Sequence, residues 1–358
     1  MGALEVFAGP TALAQVHREG VIPASFNTIV GASGGPKWFV LYGLDRYLFG
    51  EFFANRQSSL VTLGSSAGAW RLSCLGLNDP VAGIDRLAKH YSGQRYSATP
   101  TVREISREAA ALVDIVLGEN GAQEIAEHPF VRVNIIADRA RGLLASERRS
   151  TLMAGLGMSA LSNILSRRLL GLSFQRTVFH GGPLTKSVGK LDEFGTEFVR
   201  LRTANVRKAL LASGSIPLVL EGVRDIPGAP EGVYRDGGIT DYHFDLPFQS
   251  GYGLVLYPHF YAHFIPGWFD KHLPWRRPRP EHFHNVLVLA PSREFVSQLP
   301  YGKIPDRKDF ETMDYDTRAA YWQTVLSASA ALGKEFAELV RSGEGLNRIK
   351  PLFGSTRK

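Results

Sequence analysis

The chain reads as an α/β protein of three layers, a mainly parallel central sheet flanked by helices. Three observations predict this. Short apolar runs of strand length alternate with longer runs of helical period along the chain. Two of the strand-to-helix joints, Gly31 to Gly35 and Gly64 to Gly68, are blocks of small residues, as sharp turns require. Of 358 residues, 44% are hydrophobic and 21% charged, which excludes a disordered chain. No break is rich enough in Pro, Gly or Ser to be a domain linker. One domain over residues 1–358 is therefore expected, with a motif-bearing part at about 25–245 and residues 246–358 completing it.

Taken in order, the first expected strand is Asn27 to Ala32, an apolar run that ends in glycine-rich chain. Pro36 then fits a first helical position, where its missing N–H costs nothing, and opens a helix to Phe49. Ser59 to Leu63 is the next strand, followed by the helix-compatible Ala69 to Leu75. Helices are expected at Val81 to Tyr91 and Val102 to Leu117, and a strand at Phe130 to Ala137. Met153 to Leu170 follows as a helix, then strands Arg176 to His180 and Glu197 to Leu201. Helix Val206 to Ala212, strands Gly253 to Tyr257 and Asn285 to Ala290, and a long helix Thr317 to Val340 complete the pattern.

The joint after Leu63 is Gly64-Ser65-Ser66-Ala67-Gly68, a G-x-S-x-G pentapeptide between strand and helix. That is the pattern of a nucleophile elbow, with Ser66 on the turn, Gly64 and Gly68 as the small neighbours a strained turn needs, and Ala67 N–H as an oxyanion donor. The joint after Ala32 is Ser33-Gly34-Gly35-Pro36-Lys37. Its glycines leave backbone N–H groups uncovered and Lys37 adds positive charge, the equipment of an oxyanion hole. A dinucleotide-binding loop is a further reading, but G-x-G-x-x-G is not in register here. Further on, Tyr234-Arg235-Asp236-Gly237-Gly238 follows another small-residue block, Ala212 to Pro217.

Together these segments resemble the patatin-like phospholipase family: the glycine loop, the elbow and Asp236-Gly237-Gly238 stand in the family's order, with the Ala212 to Pro217 block between them. The resemblance implies a patatin-like fold and hydrolysis of lipid acyl esters, phospholipid or lysophospholipid, by a Ser–Asp dyad without histidine. Ser66 would be the nucleophile and Asp236 the base. Gly34, Gly35 and Ala67 would hold the oxyanion, with Lys37, Gly64, Gly68, Gly237 and Gly238 supporting. No cofactor is implied. The same acyl-enzyme could pass its acyl group to an alcohol or thiol. A carboxylate needs desolvation to serve as the base, so Asp236 is expected to be buried beside Ser66. Two positions depart from the family pattern. Ser33 stands where a third glycine is usual, and Trp38 follows the basic residue where glycine is usual. Both would favour a fold that binds lipid without turnover.

The main rival is an α/β-hydrolase, which needs a histidine after its acid. His243, His259, His263, His272, His282 and His284 all follow Asp236, and His243 is the obvious control. No cluster has zinc-ligand spacing. The single cysteine, Cys74, precludes an intramolecular disulfide and reads as a small core residue. The net charge of +7 fits an anionic partner. No nucleic-acid module is visible, and lipid or another acyl ester is the expected partner, with peripheral contact to anionic membrane. No signal peptide or membrane span is read, so a cytoplasmic location is expected.

Two segments could serve the substrate. Thr151 to Leu172 is a Met- and Leu-rich helix, either a simple cover on the sheet or a cap whose apolar face lines an acyl pocket. Phe260 to Phe283 combines seven large aromatics with Lys271 and Arg276-Arg277-Pro278-Arg279, either a proline-rich loop with its rings packed inward or a membrane-interface segment.

Overall fold

The structure is a computed structural model that describes residues 2–189, 191 and 193–353. One ten-stranded mixed sheet with helices on its faces organises the chain. Its strands are β1 (Leu4–Ala8), β2 (Phe26–Gly31), β3 (Leu60–Ser65), β4 (Val131–Ala140), β5 (Phe174–His180), β6 (Thr196–Arg200), β7 (Val233–Asp236), β8 (Leu254–Pro258), β9 (Val286–Pro291) and β10 (Lys350–Pro351). Across the sheet they run β10-β1-β9-β8-β2-β3-β4-β5-β6, with β7 paired to β4. Six pairings are parallel and three antiparallel. The α/β class and mainly parallel sheet are as the sequence predicts. The main hydrophobic cluster extends from Ala8 to Ile349, and a smaller one gathers Ala140, Leu144, Leu152, Phe174 and Ile239.

All seven expected strands are present, as β2 to β6, β8 and β9. Three others were not expected: in β1 the apolar run is short and broken by Glu5. β10 has two residues. β7 reads V-Y-R-D, and its Arg235 and Asp236 are both buried, so its polarity disguised it as a turn.

Several helices differ from expectation. The segment after Gly34 is a 3₁₀ turn (Gly35–Leu41), then a short α-helix (Tyr42–Tyr47), then a π-turn (Leu48–Phe52). Trp38, Phe39, Val40 and Leu41 are buried in succession, so no single stripe dictates an α-helical period. The long C-terminal helix breaks at Ser329 into Tyr315–Ala328 and Ala330–Ser342. There the Ser329 hydroxyl donates to Leu326 O (2.6 Å) and accepts from Gly43 N–H (2.8 Å). The Met153-to-Leu170 helix is observed as Arg149–Leu165, followed by separate turns. Among the described residues no helix is long and apolar enough to cross a membrane.

Candidate active site

The register of β4 creates the site. β3 lies parallel to β4 and pairs with it up to Ser65 opposite Ile136. β7 lies antiparallel and pairs from Val233 opposite Ala140 to Asp236 opposite Ala137. β5 occupies the other side of β4 over this stretch. So β3 and β7 share one side and end head-on at neighbouring residues, about one 3.3 Å strand step apart. Ser66 follows the last residue of β3, and Asp236 is the last residue of β7. Their side chains meet: Ser66 Oγ donates to Asp236 Oδ2 at 2.6 Å.

The turn at Ser66 is an elbow. Its φ of 53° and ψ of −130° lie outside the regions serine favours, a strain of about 1–3 kcal/mol that the surroundings must hold in place. Ser66 N–H donates to Ser213 Oγ (2.8 Å), which donates to Ile136 O (2.6 Å). The helix Ala67–Ser73 starts at once. A Cβ on Gly68 would run into the carbonyl of Gly31, and one on Gly64 into the backbone of Ala69. On the other side, Asp236 N–H donates to Ser215 O (2.9 Å), and Asp236 Oδ1 accepts from Gly238 N–H (2.7 Å). The Ala212-to-Pro217 block thus holds both members of the pair. A Cβ on Gly237 would strike Ile136 O, and one on Gly238 the Ser33 hydroxyl.

Buried polar groups pin the loop after Asp236. Arg176 grips Asp241 through two bonds, 2.6 and 2.9 Å. The Thr240 hydroxyl lies 2.9 Å from both Asp138 Oδ1 and Asp241 Oδ2. It has one proton for two carboxylates, so a carboxyl proton must complete the pair. Asp138 supplies it, since burial and then the charge of Asp241 push its pKa well above the carboxylate range. Ser65 Oγ donates to Asp241 O (2.6 Å), which leaves Ser33 Oγ to donate to Ser65 Oγ (2.8 Å).

Burial raises the pKa of Asp236 to about 6, against the opposing pull of the hydrogen bonds from Ser66 and Gly238. Three cations share its cleft: Lys37, Lys271 and Arg307. Lys37 pairs with Asp306, yet burial lowers its pKa to about 8, with Asp309 opposing and the charges of Arg307, Lys303 and Lys308 adding. Lys271 sits 4.1 Å from the Tyr242 ring centroid. Desolvation of its ammonium, then Lys37 and Arg307, lower its pKa to about 8 as well. Neither Lys271 nor Arg307 makes an ion pair among the described residues.

Two cavities meet at Ser66. The smaller, about 110 Å³, contains Asp236 and the cations. The larger, about 700 Å³, starts at Ser66 and Ala67 and has an apolar wall of Trp70, Ile105, Val219, Phe310 and Met313, with Arg95, Arg149, Arg307, Glu311 and Arg318 also lining it. Gly34 and Gly35 line the smaller cavity, Gly35 with φ +53°. Among the described residues their N–H groups have no hydrogen-bond partner. Ser33 is buried and used, as above. Trp38 is buried against Phe39, lines neither cavity and so does not crowd the glycine loop.

No described histidine is hydrogen-bonded to Ser66 or Asp236. His243 is buried, accepts from Ile265 N–H (3.0 Å) and is held well below the usual imidazole pKa, first by burial and then by His259. Among the described residues no group of three His, Cys, Asp or Glu side chains could hold a metal ion. Cys74 is buried in the core.

The acyl-pocket reading of the first candidate substrate segment needs correction, and the second segment largely takes its inward-packed form. The Met and Leu residues of helix Arg149–Leu165 do not line the acyl-sized cavity; Met153, Met158, Leu161, Ile164 and Leu165 face solvent, and only Arg149 reaches that cavity. Between residues 260 and 283, Phe260, Phe264 and Phe283 are buried, and Trp268 lines the small cavity. Trp275 alone of the seven rings is largely exposed. Sequence reasoning also missed Ser213, Ser215, Lys271 and Arg307 at the site. The small-residue block signalled the first two; nothing local signals that Lys271 and Arg307 converge.

No family model matches the chain, and no curated protein matches it. The site is defined by its own geometry, a strained serine hydrogen-bonded to a buried aspartate where two strands end against β4.

Proposed function

We propose that the protein is a serine acyl hydrolase that cleaves lipid acyl esters, phospholipid or lysophospholipid, through an acyl-enzyme on Ser66. The observation that carries this reading is the 2.6 Å bond from Ser66 Oγ to Asp236, made at a strained elbow that opens on a 700 Å³ cavity. Serine is a poor nucleophile until a base takes its proton. With a pKa near 6, Asp236 is ionised at neutral pH and is a stronger base than an ordinary carboxylate.

Ser66 Oγ attacks the ester carbonyl carbon while its proton passes to Asp236 Oδ2. The carbonyl π-electrons move to oxygen, facing the N–H groups of Gly34, Gly35 and Ala67. The C–O bond to the alcohol then breaks, and the alcohol leaves with the proton from Asp236. Water repeats the sequence on the acyl-enzyme, releasing the carboxylic acid and restoring Ser66. The apolar wall of the larger cavity suits an acyl chain. Lys37, Lys271 and Arg307 suit a phosphate on the other side of the ester.

A fluorophosphonate probe tests the reading. Wild type and Ser65→Ala are expected to be labelled, with the adduct mapped to Ser66, and Ser66→Ala to stay unlabelled. Labelling of Ser66→Ala, or none of the wild type, would refute it.

A further inference from the structure

Helix Arg149–Leu165 is built inside out. At about 100° per residue, its buried Leu152, Gly155, Ser159 and Asn163 fall on one narrow face. Met153, Met158, Leu161, Ile164 and Leu165 fall on the opposite face and are 50%, 63%, 67%, 47% and 81% exposed. The side toward the protein is mostly small or polar, and the side toward solvent is apolar. Leu172 (74% exposed) and Trp275 (64%) are further exposed apolar side chains on segments bonded to this helix. Ser159 Oγ bonds to Ser173 Oγ next to Leu172, and Arg276, next to Trp275, donates to Asn163 O. An exposed apolar face of this kind marks an interaction surface.

The charges around it select the partner. From Arg141 to Leu172 the chain exposes Arg141, Arg148, Arg149 and Arg168, while Arg167 is buried and paired with Glu193 and Asp270. The one acid of this stretch, Glu147, is paired with Arg235. Among the described residues Lys271 and Arg277 add to the rim without an ion pair, while Arg276 and Arg279 are paired with Asp270 and Asp245. A second copy related by a two-fold axis would set this positive face against itself. An anionic lipid surface satisfies both features, taking the apolar side chains among acyl chains and the arginines among headgroups.

We infer that this face seats the protein on an anionic lipid surface. The seat borders the site. Arg149, at the start of the helix, lines the larger cavity beside Ser66. Near the other end, Asn163 bonds to Asp270 (2.8 Å) in the turn whose Trp268 lines the smaller one. The inference needs no turnover and stands apart from the hydrolytic reading.

The test is co-sedimentation of the full chain with vesicles of phosphatidylcholine and phosphatidylglycerol in equal parts, and with pure phosphatidylcholine. Wild type is expected to prefer the anionic vesicles and to be released by salt. Leu161→Ser combined with Leu165→Ser and Leu172→Ser should weaken binding at least about tenfold, with an unchanged melting temperature because these side chains are exposed. Arg168→Gln with Arg277→Gln should remove most of the preference for anionic vesicles. Equal binding of the triple variant and wild type, or no binding by wild type, would overturn the inference. So would a wild-type dimer that the triple variant converts to monomer without any lipid binding. Hydrolysis of a soluble short-chain ester is measured in parallel. Its absence in every protein, with vesicle binding as expected, would remove the hydrolytic reading and leave the lipid seat standing.

Discussion

At the junction of β3, β4 and β7 the protein buries polar atoms, whereas on helix Arg149–Leu165 it exposes apolar ones. Both regions invert the usual partition between core and surface. The junction is assembled from chain segments far apart, around residues 33–35, 64–68, 213–215 and 236–241, and nearly every buried polar group there has a named partner. The helix is one local element whose outward face touches nothing described. A buried polar site can persist only when satisfied from several directions. An exposed apolar face persists without any partner, at the cost of contact with water.

The largest effect expected from breaking the junction is on turnover. Asp236→Asn keeps the shape but cannot accept the serine proton, so ester hydrolysis should fall by about two to four orders of magnitude, measured as kcat on a soluble ester. The same substitution should not weaken the fold. Burial raises the folded-state pKa of Asp236 to about 6, above the ordinary value near 4. The wild type therefore has the full benefit of this group at low pH, where the carboxyl is protonated, and loses it as pH rises through about 6. Asparagine never ionises. Thermal denaturation across pH should show the variant drawing ahead of wild type between about pH 4 and 7, with little difference below. A variant that is less stable at every pH would mean that the carboxylate is structural.

The same contrast explains what was legible in the sequence. Ser66 and Asp236 stood out because their geometry demands unusual neighbours. Gly68 and Gly237 must be glycine where backbones touch, and such residues in fixed order leave a readable trace. The parallel sheet was legible because β8 and β9 are apolar throughout and β2 and β3 mostly so. β7 was not, since its buried Arg235 is satisfied by Glu147 and backbone carbonyls from elsewhere in the chain. Nor was the orientation of helix Arg149–Leu165. Its periodicity gives two faces, and the ordinary rule assigns the apolar one to the core. What reverses it is the anchoring of Asn163 and Arg167 on Asp270, a contact across more than one hundred residues.

A smaller effect would sharpen the electrostatic side of the junction. Lys271→Gln removes one cation from the cleft without touching the dyad. For an anionic acyl ester we expect KM to rise about tenfold, with kcat little changed, and for a neutral ester almost no effect. The pH profile gives a second readout. With wild type, kcat/KM should rise through about pH 6 as Asp236 ionises and, for the anionic ester alone, fall above about pH 8 as Lys37 and Lys271 lose charge. An alkaline limb of equal size with the neutral ester would assign the titration to the chemistry instead of to substrate binding.

The smallest effects test the inversion of the helix from its two faces. Asn163 points inward and donates to Asp270 Oδ1, a carboxylate with no exposure that also receives Arg167 and Gly267 N–H. Replacing it by an apolar residue puts a hydrophobic side chain where the ordinary rule would want one, but leaves a buried carboxylate short of a donor. Asn163→Leu should therefore destabilise by about 1–3 kcal/mol. Leu165→Ser, two residues on, replaces an apolar side chain by a polar one at a position 81% exposed. It should shift stability by no more than about 0.5 kcal/mol in either direction. Chemical denaturation of the two variants side by side settles the matter. If Leu165→Ser were the costlier, its side chain would have to be covered in the folded protein, and the apolar face would be an internal contact of this chain instead of a seat for a partner.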